Sequence, residues 1–144
     1  MRVIAVLPPG LENEGCNELI ELGALNVTQL RRSASCEVDM ACLYRLYLQA
    51  RLPFRLLREV SRFSCKNPSD LYHGVQDALD WDRWIPPKLS FRVDVSGSNI
   101  QLPHSHFSAL QVKNALVDLQ RKVFGQRSDI SLNDPHVCIH LHLS

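Results

Sequence analysis

The chain has 144 residues, 45% of them hydrophobic and 22% charged, which fits one compact domain or two small subdomains and excludes wholesale disorder. Sixteen Lys and Arg against fifteen Asp and Glu leave a net charge of +1, which by itself points to no partner. The longest apolar run near the start, Val3 to Leu7, is too short for a signal peptide's hydrophobic region or a bilayer span. Cys16, Cys36, Cys42, Cys65 and Cys138 form no C-x-x-C pair, so the expectation is reduced thiols in a cytoplasmic protein without a membrane anchor.

In chain order, Arg2 to Leu7 is short, apolar and β-branched and predicts a buried strand ended by Pro8, Pro9 and Gly10. Leu11, Gly15, Leu19 and Leu22, with Cys16 and Ile20 beside them, recur at helical spacing, and Gly23 suits a left-handed stop. Residues 26–32 and 34–39 predict two strands joined at a turn over Arg32 to Ser35. Asp39 suits an N-cap for a helix over 40–52 with Met40, Leu43, Tyr47 and Ala50 on one face, stopped by Pro53. The stretch 54–64 carries arginines at helical spacing but apolar residues that suit a strand. As a strand it completes β-α-β-β-α-β, the ferredoxin-like order, which favours that reading.

Lys66 to Asp70 predicts a boundary, with Ser69 or Asp70 capping a helix through Leu79 and a second short helix holding Trp81 and Trp84. Leu89 to Val95 alternates as a strand, and Ser96, Gly97, Ser98 and Asn99 read as a loop. Ser105 to Phe124 predicts a long helix with Ala109, Val112, Leu116, Leu119 and Val123 as its apolar stripe and Gly125 after its end. His136 to Leu143 alternates again. The expected class is α+β: a ferredoxin-like subdomain over 1–65, then a second α/β domain over 66–144.

Charge is distributed in blocks: −3 over 1–30, +5 over 31–66, −2 over 67–94, +3 over 95–127 and −2 beyond. Two basic regions on a neutral chain suit a phosphate-binding footprint, although solvated helix faces account for the same pattern. On the long helix His106, Lys113 and Gln120 are spaced by seven and share a flank, while Arg121, Lys122 and Arg127 cluster near its C-terminal end, where cations also suit the helix dipole. With the Ser96 to Asn99 loop, this arrangement could hold phosphates or an unpaired RNA end. His136, Cys138, His140 and His142 share one strand face and are zinc-ligand types. Same-face neighbours on one strand stand about 6.5–7 Å apart, however, too far to converge on one ion, so a half-exposed polar face is the favoured reading and no metal site is assigned. Asp77, Asp80 and Asp82 around Trp81 read as caps and solvated charges. The six glycines form neither G-x-G-x-x-G nor a Walker loop, and no nucleophile motif is present, so no catalytic residue and no cofactor is assigned to this chain.

The chain resembles the N-terminal part of the bacterial 23S rRNA guanine-N2-methyltransferase family, in which a ferredoxin-like subdomain joins a THUMP domain. The resemblance runs from residue 2 to the end. It rests on P-P-G-L-E at 8–12, L-Y-R-L-Y-L-Q-A-R-L at 43–52, D-L-Y-H-G-V-Q at 70–76, F-R-V-D-V-S-G-S-N at 91–99, S-A-L-Q-V-K-N-A-L-V-D at 108–118 and D-P-H-V-C-I-H-L-H-L at 134–143. It implies a strand over 54–64. It also implies an RNA-binding module that positions structured RNA, 23S rRNA above all, for N2-methylation of guanine by a separate catalytic domain. That domain would carry the S-adenosylmethionine loop and an Asn/Asp-Pro-Pro-aromatic motif. The matching positions are the Ser96 to Asn99 loop, Ser105 and Lys113, and His106, Arg121 and Lys122 join them as candidate RNA contacts on charge and spacing. This chain departs from the family's pattern at Pro103 and His104, where an Arg-Asn pair is usual, at Phe107 for a tyrosine-like position and at Asn114 for an aspartate. His140 matches a family histidine, and His142 stands where a basic residue is common. The family's sheet continues with one more strand after Leu143. The expectation is therefore an excised or truncated region whose last strand is an exposed edge that invites pairing with a second copy. A protein-docking module or a small metal-binding domain is the alternative reading.

Overall fold

The computed structural model describes residues 1–97 and 99–143 and divides the chain into two compact units, Met1–Val60 and Ser61–Ser144. The first unit has the element order β1 (Arg2–Val6), α1 (Glu12–Glu21), β2 (Leu25–Leu30), β3 (Ser33–Glu37), α2 (Met40–Gln49) and β4 (Arg55–Arg58). This is the β-α-β-β-α-β order expected from the sequence. Its strands form one sheet in the order β2-β3-β1-β4 with every neighbour antiparallel, Val3 opposite both Cys36 and Arg58. Val3, Ala5, Leu7, Ala34 and Cys36 meet Cys16 and Leu19 of α1 and Cys42 and Leu46 of α2 in a single buried cluster. Gly15 permits that contact, since a Cβ there would lie 2.5 Å from the Leu7 methyls.

Local chemistry sets the ends of these elements. Asp39 caps α2 by accepting from the Cys42 N–H at 2.7 Å, as expected. Gly23 takes φ +98° beyond α1. The β2–β3 turn lies over residues 31–32, earlier than expected, with Arg32 at φ +57° and the Glu12 carboxylate accepting its N–H. Two further expectations are corrected. β4 is four residues long and not eleven, and α2 ends at Gln49, with Ala50 already extended. The face of α2 also differs: Cys42 and Leu46 are buried and Leu43 packs partly against them, whereas Met40 and Tyr47 are exposed. This helix is apolar nearly all round, so its sequence does not mark which stripe is the core.

The second unit contains α3 (Pro68–Ala78), α4 (Trp81–Trp84), β5 (Phe91–Gly97), α5 (Ser105–Phe124) and β6 (Val137–Leu143). The cap of α3 is Asn67, not Ser69 or Asp70. Its side chain accepts from the Asp70 N–H at 2.8 Å, Pro68 follows at the first helical position, and Asp70 accepts in turn from the Lys66 N–H at 3.0 Å. β5 and β6 are parallel, in register from Phe91 opposite Val137 to Gly97 opposite Leu143. Phe91, Leu143, Val112, Ala115, Leu116, Leu71, Val75, Trp81 and Ile85 make the second core. Trp81 is fixed in it by its indole N–H, which donates to the Val75 carbonyl at 2.5 Å. No described helix is long and apolar enough to cross a membrane.

Candidate nucleic-acid interface

The candidate residues lie along the β5–α5–β6 crossover. Strand alternation sends Phe91, Val93 and Val95 of β5, with Val137, Ile139, Leu141 and Leu143 of β6, toward the core that α5 closes. Ser96 and Gly97 are the last two residues of β5, paired with His142 and Leu143, which corrects the expected four-residue loop. Gly97 sits at φ +72°, and a Cβ there would overlap the Leu143 carbonyl oxygen, so the end of the strand pair requires glycine. Ser98 lies outside the described residues. Asn99 then makes a tight turn: its Oδ1 accepts from the Leu102 N–H at 2.7 Å, and Leu102 is buried in the core.

That turn delivers the chain to the start of α5. His104 is the N-cap without a side-chain capping bond, and Ser105 and His106 occupy the first turn, exposed, with no acidic residue among them. The leading N–H groups of such a turn have no intrahelical acceptors, which favours an anion there. Lys113 lies on the His106 side, about 10 Å further along the axis at 1.5 Å per residue. Arg121 and Lys122 are exposed in the last turn, about 24 Å from Ser105 by the same rise, and Gly125 ends the helix in the left-handed conformation at φ +69°. The structure therefore places Ser105 and His106 at one end of α5, Lys113 beyond them, and Arg121 and Lys122 at the other end, with Asn99 in the turn that precedes the helix.

Two expectations for α5 are corrected. Its buried positions are Ser108, Val112, Ala115, Leu116, Val117 and Gln120, while Val123 is exposed. Gln120 thus leaves the basic flank. Its amide donates to the Ile85 carbonyl and to Ser128 Oγ, both at 2.8 Å, and accepts from the Ser128 N–H at 2.8 Å. The segment after α5 folds back over the helix and covers this side, which spacing within the helix does not reveal.

The Ser96 side chain points away from α5. The face of the strand pair opposite the core carries Ser90, Arg92, Asp94 and Ser96 alongside His136, Cys138, His140 and His142. Ser96 Oγ lies 2.9 Å from His140 Nε2 and 2.8 Å from His142 Nδ1, and Ser90 Oγ lies 3.0 Å from His136 Nδ1. The Cys138 thiol donates to Asp94 Oδ2 at 3.2 Å, while an Arg92 N–H approaches its sulfur at 3.5 Å. Burial and then the Asp94 hydrogen bond push this thiol's pKa up, and Arg92 opposes them. Among the described residues no three His, Cys, Asp or Glu side chains form a group that could hold a metal ion. The sequence reading missed the β5 half of this ladder. Pairing the two alternating segments in parallel register is the signal that finds it.

The THUMP domain model matches residues 65–144. A protein of Synechocystis named as a candidate RNA methyltransferase is 39% identical over 139 residues, covering 96% of this chain and 36% of its own length. The ribosomal RNA large subunit methyltransferase K/L of Syntrophotalea carbinolica is 35% identical over 143 residues, covering 99% of this chain and 20% of its own. The chain therefore spans about a third and a fifth of these two relatives. A crystal structure from Listeria monocytogenes, described as a candidate N6-adenine-specific DNA methylase, superposes with a TM-score of 0.80 at 19% identity, covering 99% of this chain and 37% of that one, a likeness of fold alone. With the domain model matching more than half of its residues, the chain belongs to the THUMP family.

Proposed function

We propose that this chain is the RNA-binding N-terminal module of an rRNA (guanine-N2) methyltransferase, and that it positions structured RNA, 23S rRNA in the first instance, for a methyltransferase domain carried elsewhere. The observation that supports this reading most directly is the THUMP match over the unit whose crossover carries Ser105, His106 and Lys113 along one side of α5, with Asn99 in the turn before it. Phosphate oxygens suit the first-turn amides, and Lys113 supplies a cation one or two phosphates further on. Arg121 and Lys122 form a second contact at the far end of the helix. The residues present do not fit S-adenosylmethionine: the β5–α5 junction holds one glycine, whose Cα face is filled by Leu143. That cofactor belongs to the methyltransferase domain. The same reading sets the boundary between the ferredoxin-like and THUMP parts at residues 65–66 and places the protein in the cytoplasm.

Fluorescence anisotropy with a labelled rRNA stem-loop and a matched DNA duplex, each across a salt series, tests the proposal. The expected result is RNA-preferring binding, weakened several-fold or more by Lys113→Glu and again by Arg121→Glu with the fold unchanged. Unchanged affinity in both variants would remove this surface. A protein-docking module would instead show no RNA preference at any salt.

The same reading extends to self-association. Among the described residues β6 pairs only with β5, which leaves one strand edge open to a second copy. We expect concentration-dependent dimerisation through β6, and a monomer by light scattering at millimolar chain would refute it.

A further inference from the structure

On α2, Met40, Tyr44, Tyr47 and Leu48 are exposed by 51%, 61%, 62% and 84%. At 100° per residue they fall within an arc of about 100°, on the side of the helix away from Cys42 and Leu46. The buried face already satisfies the first core, so this second apolar stripe has no role in the packing of its own unit. Soluble surfaces rarely keep such a stripe without a use.

Charge identifies the occupant. From Met40 to Arg58 the chain has four arginines, Arg45, Arg51, Arg55 and Arg58, and no acidic residue. The carboxylates that flank this stretch are committed, Glu59 pairing with Arg2 at 3.2 Å. Asp39 caps α2 through the Cys42 N–H, and Glu18 Oε1 accepts from the Arg51 and Leu52 N–H groups at 2.9 and 3.1 Å. That pair of bonds anchors the Arg51 backbone just beyond the helix while the residue stays exposed. Arg45 is tied down, its guanidinium donating to the Leu22 carbonyl at 2.8 Å. Two exposed phenol rings one turn apart, flanked by Met40 and Leu48 and followed by an exposed arginine whose backbone is anchored, suit a partner that presents planar faces and negative charge. An unpaired nucleic-acid strand has both.

We propose that the outer face of α2 is a stacking platform for unpaired RNA bases, with Tyr44 and Tyr47 under the bases and Arg51 at the adjoining phosphate. This deepens the RNA-binding reading and rests on it. The α5 surface holds structured RNA by its backbone, whereas the α2 stripe holds a single-stranded segment by its bases. Phenol and phenyl rings stack alike, so the ring and not the hydroxyl is the requirement.

The test is anisotropy of the 144-residue chain with fluorescein-labelled rU10 beside the rRNA stem-loop. Tyr44→Ser and Tyr47→Ser should each weaken rU10 binding roughly tenfold while stem-loop affinity stays within twofold. Tyr44→Phe and Tyr47→Phe should retain rU10 binding, and Arg51→Glu should lose it. Lys113→Glu should do the reverse, weakening the stem-loop and sparing rU10, so the two surfaces fail separately. A Tyr44→Ser/Tyr47→Ser double variant with a native circular dichroism spectrum and unaltered rU10 affinity would overturn the platform and leave the α5 reading standing. A rise in molecular mass with concentration that the same double variant abolishes would also overturn it, by assigning the stripe to a protein contact.

Discussion

Gln120 has no titratable group and no exposed atom of consequence, yet it holds three chain segments together. With 3% of its surface exposed, its amide satisfies the Ile85 carbonyl and both the N–H and hydroxyl of Ser128. Removal leaves a buried carbonyl and a buried N–H without partners, at about 1–3 kcal/mol each, and opens a void beside them. Gln120→Ala is therefore expected to destabilise the second unit by roughly 3–4 kcal/mol, read as a fall in the urea midpoint followed by tryptophan fluorescence, since Trp81 and Trp84 both lie there. A loss below about 1 kcal/mol would mean that water replaces the amide. Ser108 differs: it is fully buried on the same helix and its hydroxyl has no hydrogen-bond partner, so Ser108→Ala should be neutral or mildly stabilising.

Helix caps were only partly legible from sequence. Asp39 before α2 is the one capping residue at that junction, and the sequence reading found it. Before α3 the string Asn67-Pro68-Ser69-Asp70 offers three candidates. Pro68 decides between them, because it is best placed at the first helical position and so makes Asn67 the cap. Asn67→Ala should cost about 1 kcal/mol in the urea midpoint of the second unit, and Ser69→Ala almost nothing. Larger misreadings have a common physical origin. α2 and α5 each carry more apolar positions than one face needs, so helical period alone cannot select the buried stripe; tertiary partners such as Ser128 do. Small polar residues made Ser96 and Gly97 look like loop, but parallel pairing with His142 and Leu143 overrides that propensity. The candidate site was legible as a basic helix after a strand. The distance between the first turn of α5 and its basic last turn, and the turning of Ser96 to the other face, required the fold.

Over the whole molecule, charge is close to balanced in each part, with seven basic and seven acidic residues in 1–60 and nine against eight in 61–144. A protein of this kind does not bind polyanions by net charge, so the proposed RNA binding rests on a few placed cations. Lys113, Arg121 and Lys122 are the cations on the proposed α5 surface, which limits the phosphates neutralised to about three. Each phosphate contributes roughly −0.7 to −0.9 to the slope of log affinity against log salt, so the stem-loop should show a slope of about −2 to −3. Lys113→Ala should flatten that slope by about one, and Arg121→Ala by a similar amount. Because Lys113 and Arg121 are about 12 Å apart along the helix axis, their effects on binding free energy should add. A slope steeper than about −5 would require a wider basic footprint than α5 presents. A slope unchanged by both substitutions would place the phosphates elsewhere on the molecule.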